Sequence, residues 1–225
     1  MSECRCGKLQ RDRINGKLEF ASIPQEFASQ TIENFDTEIY STEQNRSIAL
    51  MAKTIAKRYV EQFEKIRESG KGLYFYSSVK GSGKTRLATS IANDLIRQKM
   101  ISAKFATTIQ ILDKIKATWG NPDQGEQNLI YDIISVPVLI IDDIGVEPAK
   151  DWVNERFYSI LNGRMIEKKI TIFTSNCRME ELNLDERIVN RIMKMTLPIE
   201  FPNESVRMTL ARRENDDLLD RLLGV

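Results

Sequence analysis

Five short runs rich in branched and aromatic residues recur along the chain, and the stretches between them carry apolar residues at helical spacing. The runs are Leu73 to Ser77, Ala103 to Thr107, Val138 to Asp142, Ile170 to Ser175 and Thr196 to Ile199. Helical patterns cover Lys84 to Lys99, Ile109 to Thr118, Asn128 to Ser135 and Trp152 to Glu167. A run such as Val138-Leu-Ile-Ile is apolar on both of its faces, which suits parallel strands covered by helices on either side. The alternation predicts an α/β chain with a parallel sheet.

The flanks read differently. Residues 1 to about 35 are polar, with Gly7, Gly16 and Pro24 interrupting any period, and are expected to be an irregular appendage. From Asn45 the residues Ile48, Ala52, Ile55, Tyr59, Phe63 and Ile66 fall on one helical face, and the sequence Glu68-Ser-Gly-Lys-Gly72 stops that helix. Beyond Glu180 the pattern is again helical with one short strand, and the end of the chain reads as a helix.

A length of 225 residues suits one large domain, with a short appendage at most. The net charge is +1, so no general basic field gathers nucleic acid from a distance, and any such contact is local. The longest apolar run, Val136 to Ile141, is far too short to span a bilayer, and no apolar signal segment opens the sequence; a cytoplasmic location is expected. Cys4, Cys6 and Cys177 are too few and too badly spaced for a disulfide framework. Cys4 and Cys6 could form half of a zinc site, but neither histidine nor a second cysteine pair is available to complete it. Without histidine, a general base here must be a carboxylate or a lysine.

Four stations carry chemistry. The first is Ser77-Ser-Val-Lys-Gly-Ser-Gly-Lys-Thr-Arg86, set between a strand and a helix, where backbone amides and the helix dipole converge on an anion. Gly81, Ser82 and Gly83 let the backbone close around phosphate, Lys84 reaches the β- and γ-phosphates, and the Thr85 hydroxyl is placed for magnesium. Ser78 occupies the position where G-x-x-x-x-G-K-[ST] begins with glycine; it costs about 1–3 kcal/mol only if positive φ is demanded there. The second station is Asp142-Asp143 at the end of a buried strand, where an ionised acid needs a positive partner such as Mg2+ bridging phosphates. Asp142 is then the metal-side acid, and Asp143 orients or deprotonates a water. The third is Thr174-Ser-Asn176 at a strand's carboxyl end, where ligands of open α/β sheets bind. The fourth is the helical stretch Asp185 to Lys194, with Arg187, Arg191 and Lys194 opposite Ile188 and Ile192. A basic stripe of that kind is commonly a solvated face, and two arginines one turn apart are equally able to reach a neighbour's phosphate.

In this order, with Ser205-Val-Arg207 after them, the stations resemble the AAA+ ATPases, most closely the bacterial and phage helicase loaders of the DnaC/DnaI type. The approach residues Ile23-Pro-Gln-Glu-Phe27 and Thr31-Ile-Glu-Asn-Phe35 are similar to the segment that precedes the core in that family. The resemblance spans about Ile23 to Ala211. It implies a P-loop AAA+ ATPase core with a five-stranded parallel sheet between helices and little or no separate C-terminal lid. It divides the chain into residues 1–35, the remnant of a helicase-contacting module, and an ATPase domain over 36–225. It implies ATP and Mg2+ as cofactors held by Gly81 to Thr85 and Asp142, with Asp143 completing the acid pair. Asn176 becomes the first sensor, Arg191 the arginine finger with Arg187 as alternative, and Arg207 the second sensor. Asp143 stands where many members carry glutamate, which implies slow hydrolysis.

The implied function is ATP-dependent loading of a replicative helicase by subunits that self-associate into an open ring or spiral and share their ATP sites. Single-stranded DNA is the further partner considered, with Lys114 and Lys116 as candidates beside the commoner reading of a solvated pair. Three alternatives stay open: a transposition helper of the IstB type, a small-molecule kinase with a phosphate loop, and an ATP-gated binding module.

Overall fold

A computed structural model of the chain describes residues 5–119, 125–146 and 150–223. Five parallel strands form its centre: β1 (Gly72–Tyr76), β2 (Ala103–Thr107), β3 (Val138–Asp142), β4 (Ile170–Ser175) and β5 (Thr196–Glu200), in the spatial order β2-β3-β4-β1-β5. Every residue of β3 and β4 is buried, as their two apolar faces require, whereas β5 buries only Thr196 and Ile199 and carries Pro198 on an edge strand, where a missing N–H is tolerated. The helices are α1 (Arg5–Ala21), α2 (Glu43–Glu61), α3 (Phe63–Ser69), α4 (Lys84–Lys99), α5 (Thr108–Thr118), α6 (Glu126–Ser135), α7 (Asp151–Ile166), α8 (Glu186–Met195) and α9 (Arg207–Leu223).

Local chemistry sets several helix starts. Thr42 and Asp185 accept backbone N–H groups at the heads of α2 and α8, and Thr107 and Gln110 form a reciprocal capping box at α5. One core cluster lies between the sheet and α2 and α4, around Phe35, Phe63, Phe75 and Phe201. The second joins the opposite face to α5, α7 and α8, around Tyr74, Phe157 and Phe173. Arg164 of α7 is fully buried in that half; its guanidinium donates to the carbonyls of Ile133 (2.7 Å), Val136 (2.9 Å) and Ile170 (2.6 Å) and to the Thr171 hydroxyl (3.0 Å). It thereby ties the end of α6 to the start of β4.

Two expectations are corrected. Residues 5–21 are a helix rather than irregular, packing on β2 and α4 with Ile14 and Leu18 against the core and Ala21 inside it. A side chain at Gly16 would meet open space, so the glycine sits on the outer side of the helix and interrupts no packing, and Ile14, Leu18 and Ala21 are the helical spacing that was there to be read. The long helix expected from Asn45 breaks at Gln62, after which Phe63 is buried and meets Tyr59 edge-on. Gly70, in the left-handed region at φ 68°, closes α3. Cys4 lies outside the described residues, so the Cys4 and Cys6 pair is not described. Among the described residues no helix is long and apolar enough to cross a membrane.

Candidate nucleotide site

The loop between β1 and α4 turns on two residues with positive φ, Gly81 at 79° and Gly83 at 95°; Ser78 is not one of them. The condition under which serine would strain the loop is therefore not met, and the Ser78 hydroxyl instead lies 3.2 Å from Asn203 Oδ1. A Cβ on Gly81 would stand 2.7 Å from Ser205 Oγ and 2.8 Å from Arg207 Cδ, so the second-sensor candidate lies against the loop. The Val206 N–H donates to the Gly81 carbonyl at 3.0 Å and fixes the head of α9 there.

Lys84 is folded back into the loop, its Nζ donating to the carbonyls of Ser77 (3.3 Å) and Val79 (3.1 Å) and to Ser82 Oγ (3.3 Å). Burial lowers its pKa, while the charges of Asp143 and Asp142 act in the opposite direction. The Thr85 hydroxyl donates to Asp142 Oδ1 at 2.8 Å, and the Thr174 hydroxyl of β4 donates to the same oxygen at 2.6 Å. Asp142 is buried, which raises its carboxyl pKa against the lowering effect of the two hydroxyls. Strand order explains the meeting: β4 lies between β3 and β1, so Thr174 spans the gap between the acid of one and the loop of the other. A carboxylate with a threonine hydroxyl is an all-oxygen donor set of the kind Mg2+ takes together with phosphate and water oxygens.

Asp143 adopts φ 55°, unusual for a residue other than glycine and costing about 1–3 kcal/mol. Its N–H donates to Thr174 Oγ1 (3.0 Å), and Asn176 Nδ2 lies 3.4 Å from its Oδ1. The end of β4 thus braces both acids, and Asn176 meets the second. Arg191 is elsewhere: its bonds run to Tyr158 and Asn162 of α7 and to the Arg187 carbonyl, none to the loop. Arg187 is exposed and paired with Asp185 at 2.9 Å.

The residues behind the loop went unassigned in the sequence. Tyr40 donates its hydroxyl to the Ser82 carbonyl (2.8 Å), the ring of Phe35 lies 3.3 Å from where a Gly83 Cβ would be, and Arg86 reaches the Asn34 carbonyl (2.7 Å). The motif around Phe35 was visible, but nothing in it says which side of the loop it lines. Where the end of α5 meets the start of α7, Trp119 and Trp152 meet edge-to-face at 5.0 Å, with Lys116 Nζ 5.4 Å from the centre of the Trp152 ring.

A family model described as IstB-like ATP binding protein matches residues 7–213, almost the whole chain. The chain belongs to the IstB-like ATP-binding family. The chain is similar to the replicative helicase loader DnaC of Escherichia coli strain K12, 29% identical over 185 residues that make up 81% of this chain and 73% of that one. The replicative helicase loader DnaI of Bacillus subtilis strain 168 is 29% identical over 153 residues, 61% of this chain and 48% of that one. Among solved structures, DnaI superposes with a TM-score of 0.65 at 28% identity, covering 80% of this chain and 94% of that one. The DnaC helicase loader gives a TM-score of 0.62 at 26% identity, covering 76% and 98%. The fold is that of a P-loop AAA+ core, with one helix, α9, following the sheet among the described residues.

Proposed function

We propose that this chain is an ATP-dependent loader of a replicative DNA helicase, working through ATP sites shared between its subunits. The observation that carries the nucleotide reading is the junction of Thr85, Asp142 and Thr174 beside a loop whose positive-φ positions are both glycine. In this reading the amides of Gly81 to Thr85 cradle the phosphates, Lys84 leaves its carbonyl partners for the β- and γ-phosphates, and Thr85 and Asp142 hold Mg2+. Bound Mg2+ neutralises charge on the transferred phosphoryl group. Asp143 accepts the proton of the attacking water, Asn176 orients that water, Arg207 senses the nucleotide in its own subunit, and Arg191 serves the next. Helicase as partner rests on the loaders among the relatives.

For single-stranded DNA, the pair Trp119 and Trp152 supplies aromatic faces next to Lys116, the combination on which unpaired bases stack. A second reading, a transposition helper, is favoured by the family description itself. The deciding experiment is retention of purified replicative helicase on the immobilised protein with and without MgATP, for wild type and Lys84→Ala. Retention that depends on ATP and on Lys84 is expected. Absence of helicase in every condition, with ATP binding intact by calorimetry, would remove the loader and leave the helper.

A further inference from the structure

Arg191 carries five N–H groups in a planar fork. Its Nε donates to Asn162 Oδ1 at 3.1 Å, Nη1 to the Arg187 carbonyl at 3.0 Å, and Nη2 to the Tyr158 hydroxyl at 2.5 Å. The guanidinium carbon also stands 3.9 Å from the centre of the Tyr158 ring. Three donors are used, which leaves one N–H on each terminal nitrogen for an anion. All three acceptors are neutral, so these bonds fix the side chain without compensating its charge. Arg187 is the contrast. Its guanidinium lies 5.2 Å from the same ring but is bound by the Asp185 carboxylate at 2.9 and 3.1 Å.

We propose that Tyr158, aided by Asn162, is the positioning residue of the subunit-to-subunit site, holding Arg191 on the α7–α8 surface to meet the terminal phosphate of a nucleotide bound by a second copy of this chain. The proposal rests on the reading of Arg191 as the residue one subunit lends to the next. A free arginine loses much rotamer freedom when a phosphate immobilises it. Stacked on Tyr158, it has lost that freedom before the second subunit arrives, and association is correspondingly tighter. A carboxylate in place of the tyrosine hydroxyl would fix the side chain as well but compete with the phosphate for it.

The test is the protein concentration at half-assembly in MgATP, by analytical ultracentrifugation with ADP as control. Arg191→Ala and Tyr158→Ala are each expected to raise it about tenfold, and Tyr158→Phe, which keeps the ring, less than about threefold. The double variant should be no worse than Arg191→Ala alone, because both changes remove one contact; nucleotide affinity of the dilute protomer should stay constant throughout. If wild type fails to assemble, or Arg191→Ala assembles normally, the shared-site reading fails and takes the proposal with it. If Arg191→Ala is impaired while Tyr158→Ala is not, or if the two effects add, Arg191 keeps its role and the positioning role of Tyr158 is overturned. Should Tyr158→Ala melt early, Asn162→Ala puts the same question to the other anchor, and normal assembly by that variant counts against the proposal.

Discussion

Asp142 is held where its charge is unwelcome until a cation arrives. Burial raises its carboxyl pKa, so the folded chain takes up a proton there more readily than the unfolded one. A carboxyl whose folded pKa lies above its unfolded value favours the fold at low pH, and that contribution is lost as pH rises from the unfolded value through the folded one. At neutral pH the nucleotide-free protein therefore carries a cost at this residue. Asp142→Asn should raise the melting temperature at pH 7 by about 2–4 °C, the size that about 1 kcal/mol has in a domain of this length, and the gain should shrink toward pH 4. The same change should abolish the additional stabilisation conferred by MgATP. A variant that melts below wild type at pH 7 without nucleotide would contradict this account.

At the scale of elements, Arg164 does for α6 and β4 what a backbone ladder cannot, because three carbonyls at the end of one and one at the start of the other point at one place. Arg164→Met keeps the bulk and removes every donor. Each carbonyl left buried without a partner costs about 1–3 kcal/mol, so a loss of at least about 3 kcal/mol is expected, read as a lower urea midpoint with little change in slope. Nothing in the sequence distinguishes this arginine from those on the surface. Strands were legible because a buried parallel strand has no polar face, and the phosphate loop because glycine at positive φ has few substitutes. What sequence left unread are contacts whose meaning depends on a third element: Thr174 between two strands, Tyr40 behind the loop, and Tyr158 beneath Arg191. Chain order fixes none of these neighbours.

For the molecule as a whole, the amino-terminal helix counts as part of the domain's packing. Its Ala21 is fully buried, Ile14 and Leu18 pack on the core, and Lys17 donates to Ser102 Oγ at 2.5 Å. It packs on α4 and on β2, the strand at one edge of the sheet, so its loss would bare apolar surface there. Removing residues 1–22 should lower the melting temperature by several degrees and promote aggregation on warming, measured by calorimetry together with light scattering. An equally stable, monodisperse product would show that the helix is dispensable. Beyond it, Asn93 of α4 donates to the Phe27 and Gln30 carbonyls and Asp94 accepts from the Ile32 N–H, so the approach segment is clamped to the helix that begins at the phosphate loop.

The backbone bond from Val206 to Gly81 hangs the last helix on the anion loop itself. Its 17 residues make a beam of about 25 Å at 1.5 Å per residue, rooted beside Lys84 and ending with Leu222 and Leu223 in water. Leu210 on the core and Arg213 on Asp36 at 2.8 Å tie its near half to the approach segment, so the anion loop, the approach segment and the root of the last helix share one set of anchors, and only the far leucines stand clear of them.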